Sequence, residues 1–398
     1  MTEGPGDDGH YLGHVDSYRV VACTAVIVQH SLLWIVPAGL IVPWAFVMLL
    51  HFSRTAFFFM TAFLLAYSQR TRPRSTGSFW KRRFVHLGVP YLVWTVIYWV
   101  FTLWQGHWPM GAAYSDLWRD LLYGYYQLYF CIVLFQLYLV FPFVYRWLVV
   151  RRHHLRIMTI SLVVALVLAT ILHWPGAFGP VGHAAFWLAP KWPWARDILT
   201  YQEQVIAGIL VALHVEKLPA FIERWGRWVV AGGAALLAVA TMWYLIAVWT
   251  GSPTGRASDL YQPVAFLWFT GAVAALECWS WRWYARTSRL ARSRRWLSAT
   301  NLANLTGGIF FCQALFLNLF RQALDSTGLR HDLGWAGSVV TLFVLTIVCT
   351  ALFALLVQRT RWAWLLAGPV RPQQRRRLGT STLGTQGDER PTVALSKV

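Results

Sequence analysis

Long apolar runs recur along most of the chain, and polar or basic segments separate them. A transmembrane helix needs about 20 mainly apolar residues, because the hydrocarbon core is about 30 Å thick and each helical residue rises about 1.5 Å. The apolar segment 37–45 contains prolines and is expected to lie along the membrane interface. The pattern predicts ten transmembrane helices, at 18–36, 46–68, 84–104, 123–145, 157–172, 199–215, 228–249, 260–281, 303–320 and 335–357.

The composition also requires lipid as the solvent for much of the chain. Hydrophobic residues make up 57% of the 398 residues, and charged residues only 13%. A soluble domain carries about 25% charged residues, so this chain cannot cover a water-facing surface with polar groups. We therefore predict an all-α, polytopic membrane bundle of about ten transmembrane helices over residues 18–357. Residues 1–17 are a polar N-terminal segment, and residues 358–398 are a basic tail that is expected to be disordered.

Basic residues alternate between the two ends of the predicted helices. Of the 35 lysines and arginines, 27 fall in segments that share one side of the membrane, and six fall on the other side. The positive-inside rule places the basic segments and both termini in the cytoplasm. Orientation and lipid headgroups therefore account for the net charge of +19, and no nucleic-acid partner is expected. The expected location is the plasma membrane, as a multi-pass protein.

The cysteines give no indication of a metal site. They all lie in or beside apolar runs, and no pair has the spacing of metal ligands. They are expected to be small buried hydrophobic residues, and no metal cofactor is expected. The residues concerned are Cys23, Cys131, Cys278, Cys312 and Cys349.

Two polar residues share one face of the first predicted helix. Arg19 and His30 are eleven residues apart, which is three helical turns plus about 20°, so their side chains lie on one face about 16 Å apart. An arginine can hold a phosphate at the membrane edge, and an imidazole can take a proton from a hydroxyl. The alternative is that Arg19 anchors the helix end and His30 bonds a neighbouring helix.

Arg54 is predicted to lie inside the membrane, about 12 Å from the outer end of the second span. A charged group in hydrocarbon costs about 2.5–3.5 kcal/mol at the helix centre, so a buried charge indicates a functional site. His30 is predicted at a similar depth, so we expect Arg54 and His30 to share a buried chamber that opens to the outside. Arg54 could instead snorkel to the interface.

The first two predicted helices carry motifs that resemble the acyltransferase-3 family of membrane acyltransferases. Asp16-Ser17-Tyr18-Arg19, followed after ten residues by His30, is similar to the family's opening motif, Asp-x-x-Arg, ten residues and His. The stretch Phe57–Leu65 resembles the family's Phe-Phe-x-x-Ser-Gly-Phe-Leu-Leu, with Thr61 and Ala62 in place of Ser and Gly.

Three later segments continue the resemblance. The predicted cytoplasmic loop Phe79–Tyr91 is similar to the family's Arg-x-x-Arg segment before Pro-Tyr, with Arg83 at the first arginine and His86 at the second. The fourth span, Gln127–Pro142, resembles the family's His-Leu-Tyr/Trp-Phe and Gln-x-Tyr-Leu-x-x-Pro stretch, and Leu305–Gln313 in the ninth span is similar to Ile-Ser-Tyr-Ser-Ile-Tyr-Leu-Leu-His. In these two motifs Gln127 and Gln313 stand where histidine is common. The order of the five motifs is more specific than any one of them, and they extend from residue 16 to residue 313.

The resemblance implies an enzyme that moves an acyl group, usually acetyl, from cytoplasmic acyl-CoA to a hydroxyl of a glycan or small-molecule acceptor. His30 would be the general base or a transient acyl acceptor, and Arg54 would stabilise an oxyanion or hold an acidic acceptor. Arg82, Arg83 and His86, together with Arg19, would bind the CoA phosphates. The basic residues could alternatively serve topology alone.

Two other classes remain open from the sequence. A multi-helix transporter or flippase would also bury charges, and it would explain Arg54 as a substrate contact. It would not require the spacing of Arg19 and His30 or the basic segment before Pro90. A purely structural membrane scaffold leaves His30 unexplained. Consumption of acyl-CoA by the purified protein would separate the enzyme from the transporter.

Overall fold

The computed structural model describes residues 12–106, 110–179, 197–287 and 299–367, and no strand occurs among them. Short 3-10 turns at Tyr126–Leu128, Pro175–Phe178, Ile198–Tyr201 and Val215–Lys217 join some of the helices. The helices are α1 His14–Ile35, α2 Ile41–Leu50, α3 Phe52–Thr71, α4 Thr76–Trp104, α5 Met110–Tyr123, α6 Tyr129–Val150, α7 His154–His173, α8 Gln202–Leu213, α9 Leu218–Trp249, α10 Thr254–Ala257, α11 Pro263–Thr287, α12 Ala299–Ser326, α13 Leu329–Gln358 and α14 Ala363–Leu366.

The predicted all-α membrane bundle is confirmed. In the described part of the chain, nine helical segments are long and apolar enough to cross a membrane. The segment Ile198–Leu213 is apolar but shorter, and it coincides with the sixth predicted span. The protein is therefore a multi-pass membrane protein with about ten helices in its bundle.

Helix α1 lies at the centre of the bundle, where it packs against α2, α3, α11, α12 and α13. Small side chains such as Ala22 and Ala25 are buried along it, so neighbouring backbones can approach closely. Polar residues of the same helix are buried as well, including Asp16 and Gln29. Because α1 is central and carries buried polar groups, its side chains can line a cavity between the helices.

The second predicted span is interrupted. Residues 41–71 form two helices, α2 and α3, which meet at His51. Val47 and Met48 of α2 are buried, and residues 41–45 form the first part of this helix. The break brings His51 and Arg54 into the interior of the bundle, three residues apart on adjoining turns.

Contacts between helix ends agree with the predicted alternation of sides. Arg70 at the end of α3 pairs with Glu216, and Arg146 near the end of α6 donates to Thr76 Oγ1 at 2.9 Å. His154 at the start of α7 lies 2.8 Å from His214 after α8. The pKa of His214 is lowered, mainly by its partial burial and to a smaller extent by the nearby imidazole of His154. These contacts join helix ends that the charge pattern assigns to the cytoplasm.

The basic segment at residues 79–83, before the predicted span 84–104, was expected to be a loop, and this expectation is wrong. It lies in the first turns of α4, which runs from Thr76 to Trp104. The helix begins early because the Ser75 side chain accepts a hydrogen bond from the Ser78 N–H and satisfies a free donor of the first turn. Basic residues indicate the membrane surface whether they belong to a loop or to a helix, and here they belong to the part of α4 near that surface.

The start of the predicted tail also differs from the expectation. Residues 359–367 return to the bundle, where α14 packs against α4. Trp94 Nε1 donates to the Leu366 carbonyl at 2.9 Å, and this bond holds the segment in place. The rest of the predicted tail, like residues 1–11 of the N-terminal segment, lies outside the described residues.

Helices α3 and α8 pack closely enough to require a glycine. A Cβ at Gly208 would lie 2.3 Å from the Phe59 carbonyl oxygen and 2.9 Å from the Phe63 nitrogen. Both of these atoms belong to the backbone, so neither can move aside like a flexible side chain. Gly208 therefore lets the two helices approach, as small residues do in membrane interfaces. This contact fixes the helix that carries Arg54.

A candidate active site around His30 and Arg54

His30 and Arg54 line one cavity of about 270 Å³ inside the bundle. His30 belongs to α1 and Arg54 to the first turn of α3, and α1 packs against α3. The structure thus brings together the two intramembrane residues that the sequence places at similar depth. The lining consists of Val26, Gln29, His30, Leu33, Arg54, Phe57, Tyr126, Gln127, Tyr129, Phe130, Phe310 and Gln313.

The imidazole of His30 is poorly supplied with polar partners. Its Nδ1 atom is buried and has no hydrogen-bond partner. The ring meets Tyr126 edge to face, with 5.7 Å between the ring centroids. A buried ring nitrogen without a partner costs free energy unless a ligand supplies the missing hydrogen bond. His30 therefore has an unsatisfied hydrogen-bonding group and lies at the wall of the cavity.

Arg54 is a buried cation held by neutral groups. Nη1 donates to the Tyr129 hydroxyl at 3.2 Å, and Nη2 donates to His51 Nδ1 at 2.7 Å. Its Nε atom is buried without a partner, and among the described residues no carboxylate forms an ion pair with it. A buried charge without a counter-ion is costly, so the site favours a negatively charged group. An oxyanion that forms during a reaction would provide one.

His51 was not singled out from the sequence, although it connects the two halves of the site. Its Nδ1 accepts hydrogen bonds from Arg54 and from the side-chain nitrogen of Gln29, which precedes His30. Since Nδ1 accepts, the proton lies on Nε2 and the ring is neutral. The signal in the sequence was the pair His51 and Arg54, which is spaced i, i+3 inside an apolar run.

Gln127 and Gln313 both reach the cavity. Gln127 Nε2 donates to the Tyr98 hydroxyl at 2.6 Å and to the Phe311 carbonyl at 3.1 Å. The side-chain oxygens of both glutamines are buried and have no hydrogen-bond partner. The two positions where the resembling family often has histidine therefore face the same space as His30. The glutamines supply neutral acceptors there instead of titratable rings.

Tyr126 closes one side of the cavity in an unusual conformation. Its φ angle is +48°, in the left-handed region that bulky residues rarely adopt. Gly124, with φ of +74°, starts this tight turn; a Cβ there would lie 2.4 Å from the Tyr129 nitrogen. The Tyr126 ring packs on Trp34 at 5.0 Å as well as on His30. The turn holds the ring against the imidazole.

The predicted CoA-binding residues lie elsewhere. Arg82 and His86 are exposed on α4, where His86 Nδ1 donates to the Arg82 carbonyl. Arg83 is half-buried, and its guanidinium lies 5.9 Å from the centre of the Phe79 ring. Arg19 is half-buried in the first turns of α1. None of these four residues lines the His30 cavity.

The described helices thus enclose a histidine and an arginine at one cavity within a membrane bundle. The sequence profile of the acyltransferase-3 family, described as an acyltransferase domain, matches residues 13–355. The chain therefore belongs to this family and is an acyltransferase, which confirms the resemblance and decides against the transporter and the scaffold. No curated protein and no solved structure gives a significant match. Among the described residues, no group of three or more potential metal ligands could hold an ion.

Proposed function

We propose that the protein transfers an acyl group, acetyl in the first instance, from cytoplasmic acyl-CoA to a hydroxyl of a carbohydrate-type or secondary-metabolite acceptor at the plasma membrane. Family membership supports acyl transfer. The single observation that carries the assignment of the site is the shared cavity of His30 and Arg54. A base and an uncompensated buried cation in one cavity are the two groups that acyl transfer to a hydroxyl requires.

In the proposed reaction, His30 takes the proton from the acceptor hydroxyl while the oxygen of that hydroxyl attacks the thioester carbonyl carbon. The carbonyl oxygen gains a negative charge, which Arg54 stabilises. The intermediate then expels the CoA thiolate, which recovers the proton from His30. In this scheme His30 starts in its neutral form, in which one ring nitrogen can accept the proton.

Arg83, Arg82, His86 and Arg19 are proposed to hold the phosphates of CoA. All four lie in the parts of α1 and α4 that are nearest to the side that the charge pattern assigns to the cytoplasm, where CoA is available. Their distance along the helices from the cavity suits a long donor: the phosphates bind at the surface, and the pantetheine arm carries the thioester inward. Arg82 and His86 are exposed and available to such a ligand.

The test uses purified protein and radiolabelled acetyl-CoA. His30→Ala should reduce thioester consumption to a few per cent or less, while His331→Ala, which alters a histidine that is 97% exposed in its side chain, should leave it unchanged. Retention of more than a few per cent of the activity in His30→Ala excludes the role as base. Label that remains on His30 after a single turnover would instead assign it as a transient acyl carrier.

A further inference from the structure

The lining of the His30 cavity repeats one pattern on four parts of the bundle. Each part contributes a polar residue and, three or four residues away in the chain, an apolar residue. Three or four residues make about one helical turn, or about 5 Å along the axis. The cavity therefore has a polar layer and an apolar layer. The pairs are His30 and Val26 on α1, Arg54 and Phe57 on α3, Gln127 and Phe130 at the start of α6, and Gln313 and Phe310 on α12.

The apolar layer lies on the cytoplasmic side of the polar layer at every one of these positions. Helices α1 and α12 begin on the side that the charge pattern assigns to the cytoplasm, and their apolar residues, Val26 and Phe310, precede the polar ones. Helices α3 and α6 end on that side, and Phe57 and Phe130 follow the polar ones. The four helices therefore agree on the direction in which the cavity becomes apolar.

The three phenylalanines of the apolar layer form a connected group of rings. The centroid of the Phe130 ring lies 6.0 Å from that of Phe57 and 5.4 Å from that of Phe310. Phe130 also packs on Phe58 at 4.6 Å, which fixes its position from behind. All three rings are half-buried and line the cavity. We name Phe57, Phe130 and Phe310 the phenylalanine collar.

The phenylalanine collar lies between the catalytic layer and the proposed binding site for the CoA phosphates. A narrow passage with apolar walls excludes water, because water inside it loses hydrogen bonds that the walls cannot replace. A donor held near Arg19 and Arg83 has to pass this layer before its thioester can reach His30. The S–CH₂–CH₂ segment beside the thioester is itself apolar, so it can pack on the rings without the cost of burying a polar group.

We propose that the phenylalanine collar seals the catalytic layer against cytoplasmic water and that the thioester end of the donor opens it by displacing the rings. This inference rests on the proposed acyl transfer, since it describes the path of the donor. The seal protects the thioester while it lies at His30 and Arg54. Without the seal, a water oxygen bonds to the carbonyl carbon, the C–S bond breaks, and the CoA thiolate takes the proton, so the acyl group is lost to hydrolysis.

The first test measures access to the catalytic layer from the cytoplasm and needs no acyl donor. His30→Cys places a thiol in that layer, and a membrane-impermeant sulfonated methanethiosulfonate is added to inside-out vesicles that contain the full chain. Labelling should be slow, and the additional substitution Phe130→Ala or Phe310→Ala should speed it at least five-fold. The chain with His30 intact corrects for the native cysteines, of which four are buried and Cys349 is half-buried.

Phe135→Ala is the matched control. Phe135 is a half-buried phenylalanine on α6, like Phe130, but it packs on Phe84 with 5.6 Å between the centroids and does not line the cavity. Its substitution should leave the labelling rate unchanged. The second measurement is the release of CoA from acetyl-CoA by purified full-length protein without an acceptor. Phe130→Ala should raise this release at least five-fold, and Phe135→Ala should not.

The seal is overturned if His30→Cys is labelled quickly with an intact collar, if neither opening variant speeds labelling, or if Phe135→Ala speeds it equally. Improved use of butyryl-CoA by Phe130→Ala without faster labelling would assign the collar as an acyl-chain pocket instead. Faster labelling with unchanged CoA release, in a protein that transfers acyl groups, would overturn the protective role. If labelling responds as expected but no form of the protein consumes acetyl-CoA, the proposed reaction fails and the seal stands.

Discussion

Arg54 Nη2 donates a hydrogen bond of 2.7 Å to Nδ1 of His51, across the break between α2 and α3. The same Nδ1 accepts from Gln29, the neighbour of His30. The guanidinium is therefore positioned by a neutral ring on one side and by the Tyr129 hydroxyl on the other. The helix break has a direct structural role, because it turns His51 towards Arg54.

Removal of His51 should lower turnover without removing the binding of acyl-CoA. His51→Ala removes the acceptor of Arg54 Nη2, and a displacement of about 1 Å in a catalytic group can cost about 100-fold in rate. We expect kcat to fall by about that factor while the acyl-CoA KM stays within about two-fold. His51→Asn, which retains a hydrogen-bond acceptor at a similar position, should recover part of the rate. An equal loss in both variants would indicate a purely structural role.

Arg54→Lys should separate the effect of the positive charge from the effect of the guanidinium geometry. Lysine keeps the positive charge but cannot reach Tyr129 and His51 with two separate donors. We expect a loss of about 10²–10³ in kcat, the usual effect of removing an oxyanion donor. Thermal unfolding in detergent should show that the variant is folded. If Arg54→Lys retains most of its activity, positive charge alone is sufficient and the fork geometry has no role.

The sequence predicted that His30 and Arg54 share a chamber, because the depth of each residue in the membrane follows from counting residues along its helix. It did not predict His51, since the helix break that turns this residue inward depends on how α2 packs. The basic segment around Arg83 was misassigned as a loop, because charge indicates the membrane surface but does not distinguish a loop from a helix end. Gln127 and Gln313 could be located only through the family motifs, because a glutamine in an apolar run has no distinctive spacing.

Arg83→Ala should weaken donor binding selectively. A charge-assisted contact to phosphate contributes about 1.5–3 kcal/mol, so the acyl-CoA KM should rise about 10- to 100-fold. The acceptor KM should change little. Arg151→Ala is the control, since Arg151 lies at the end of α6 over the Trp147 ring and is not part of the proposed donor site. A similar rise in both variants would point to general surface charge instead of a specific site.

Gln127→Leu should destabilise the junction of α4, α6 and α12. The substitution removes the donor to the Tyr98 hydroxyl and leaves the Phe311 carbonyl with one partner fewer. Loss of a buried hydrogen-bond partner costs about 1–3 kcal/mol. The measurement is the unfolding midpoint in detergent micelles. A midpoint equal to that of the wild type would show that water replaces the glutamine at no cost.

Gly208→Val should separate α3 from α8. The new side chain would overlap backbone atoms of Phe59 and Phe63, and overpacking costs about 1–3 kcal/mol. We expect a lower unfolding midpoint together with reduced turnover, because α3 carries Arg54. Gly232→Val is the control, since no heavy atom outside its own helix lies within 4 Å of a Cβ at that position. Equal effects in the two variants would show that the close approach of α3 and α8 is not what matters.

The left-handed turn at Tyr126 implies a trade-off between stability and activity. A bulky residue in that conformation costs about 1–3 kcal/mol, and glycine adopts the same conformation without strain. Tyr126→Gly would therefore relieve the backbone while removing the ring that packs on His30. Selection for heat resistance alone would favour the loss of this tyrosine, whereas selection for turnover would retain it. Its presence indicates that the chain gives up folding free energy to hold one ring against one imidazole.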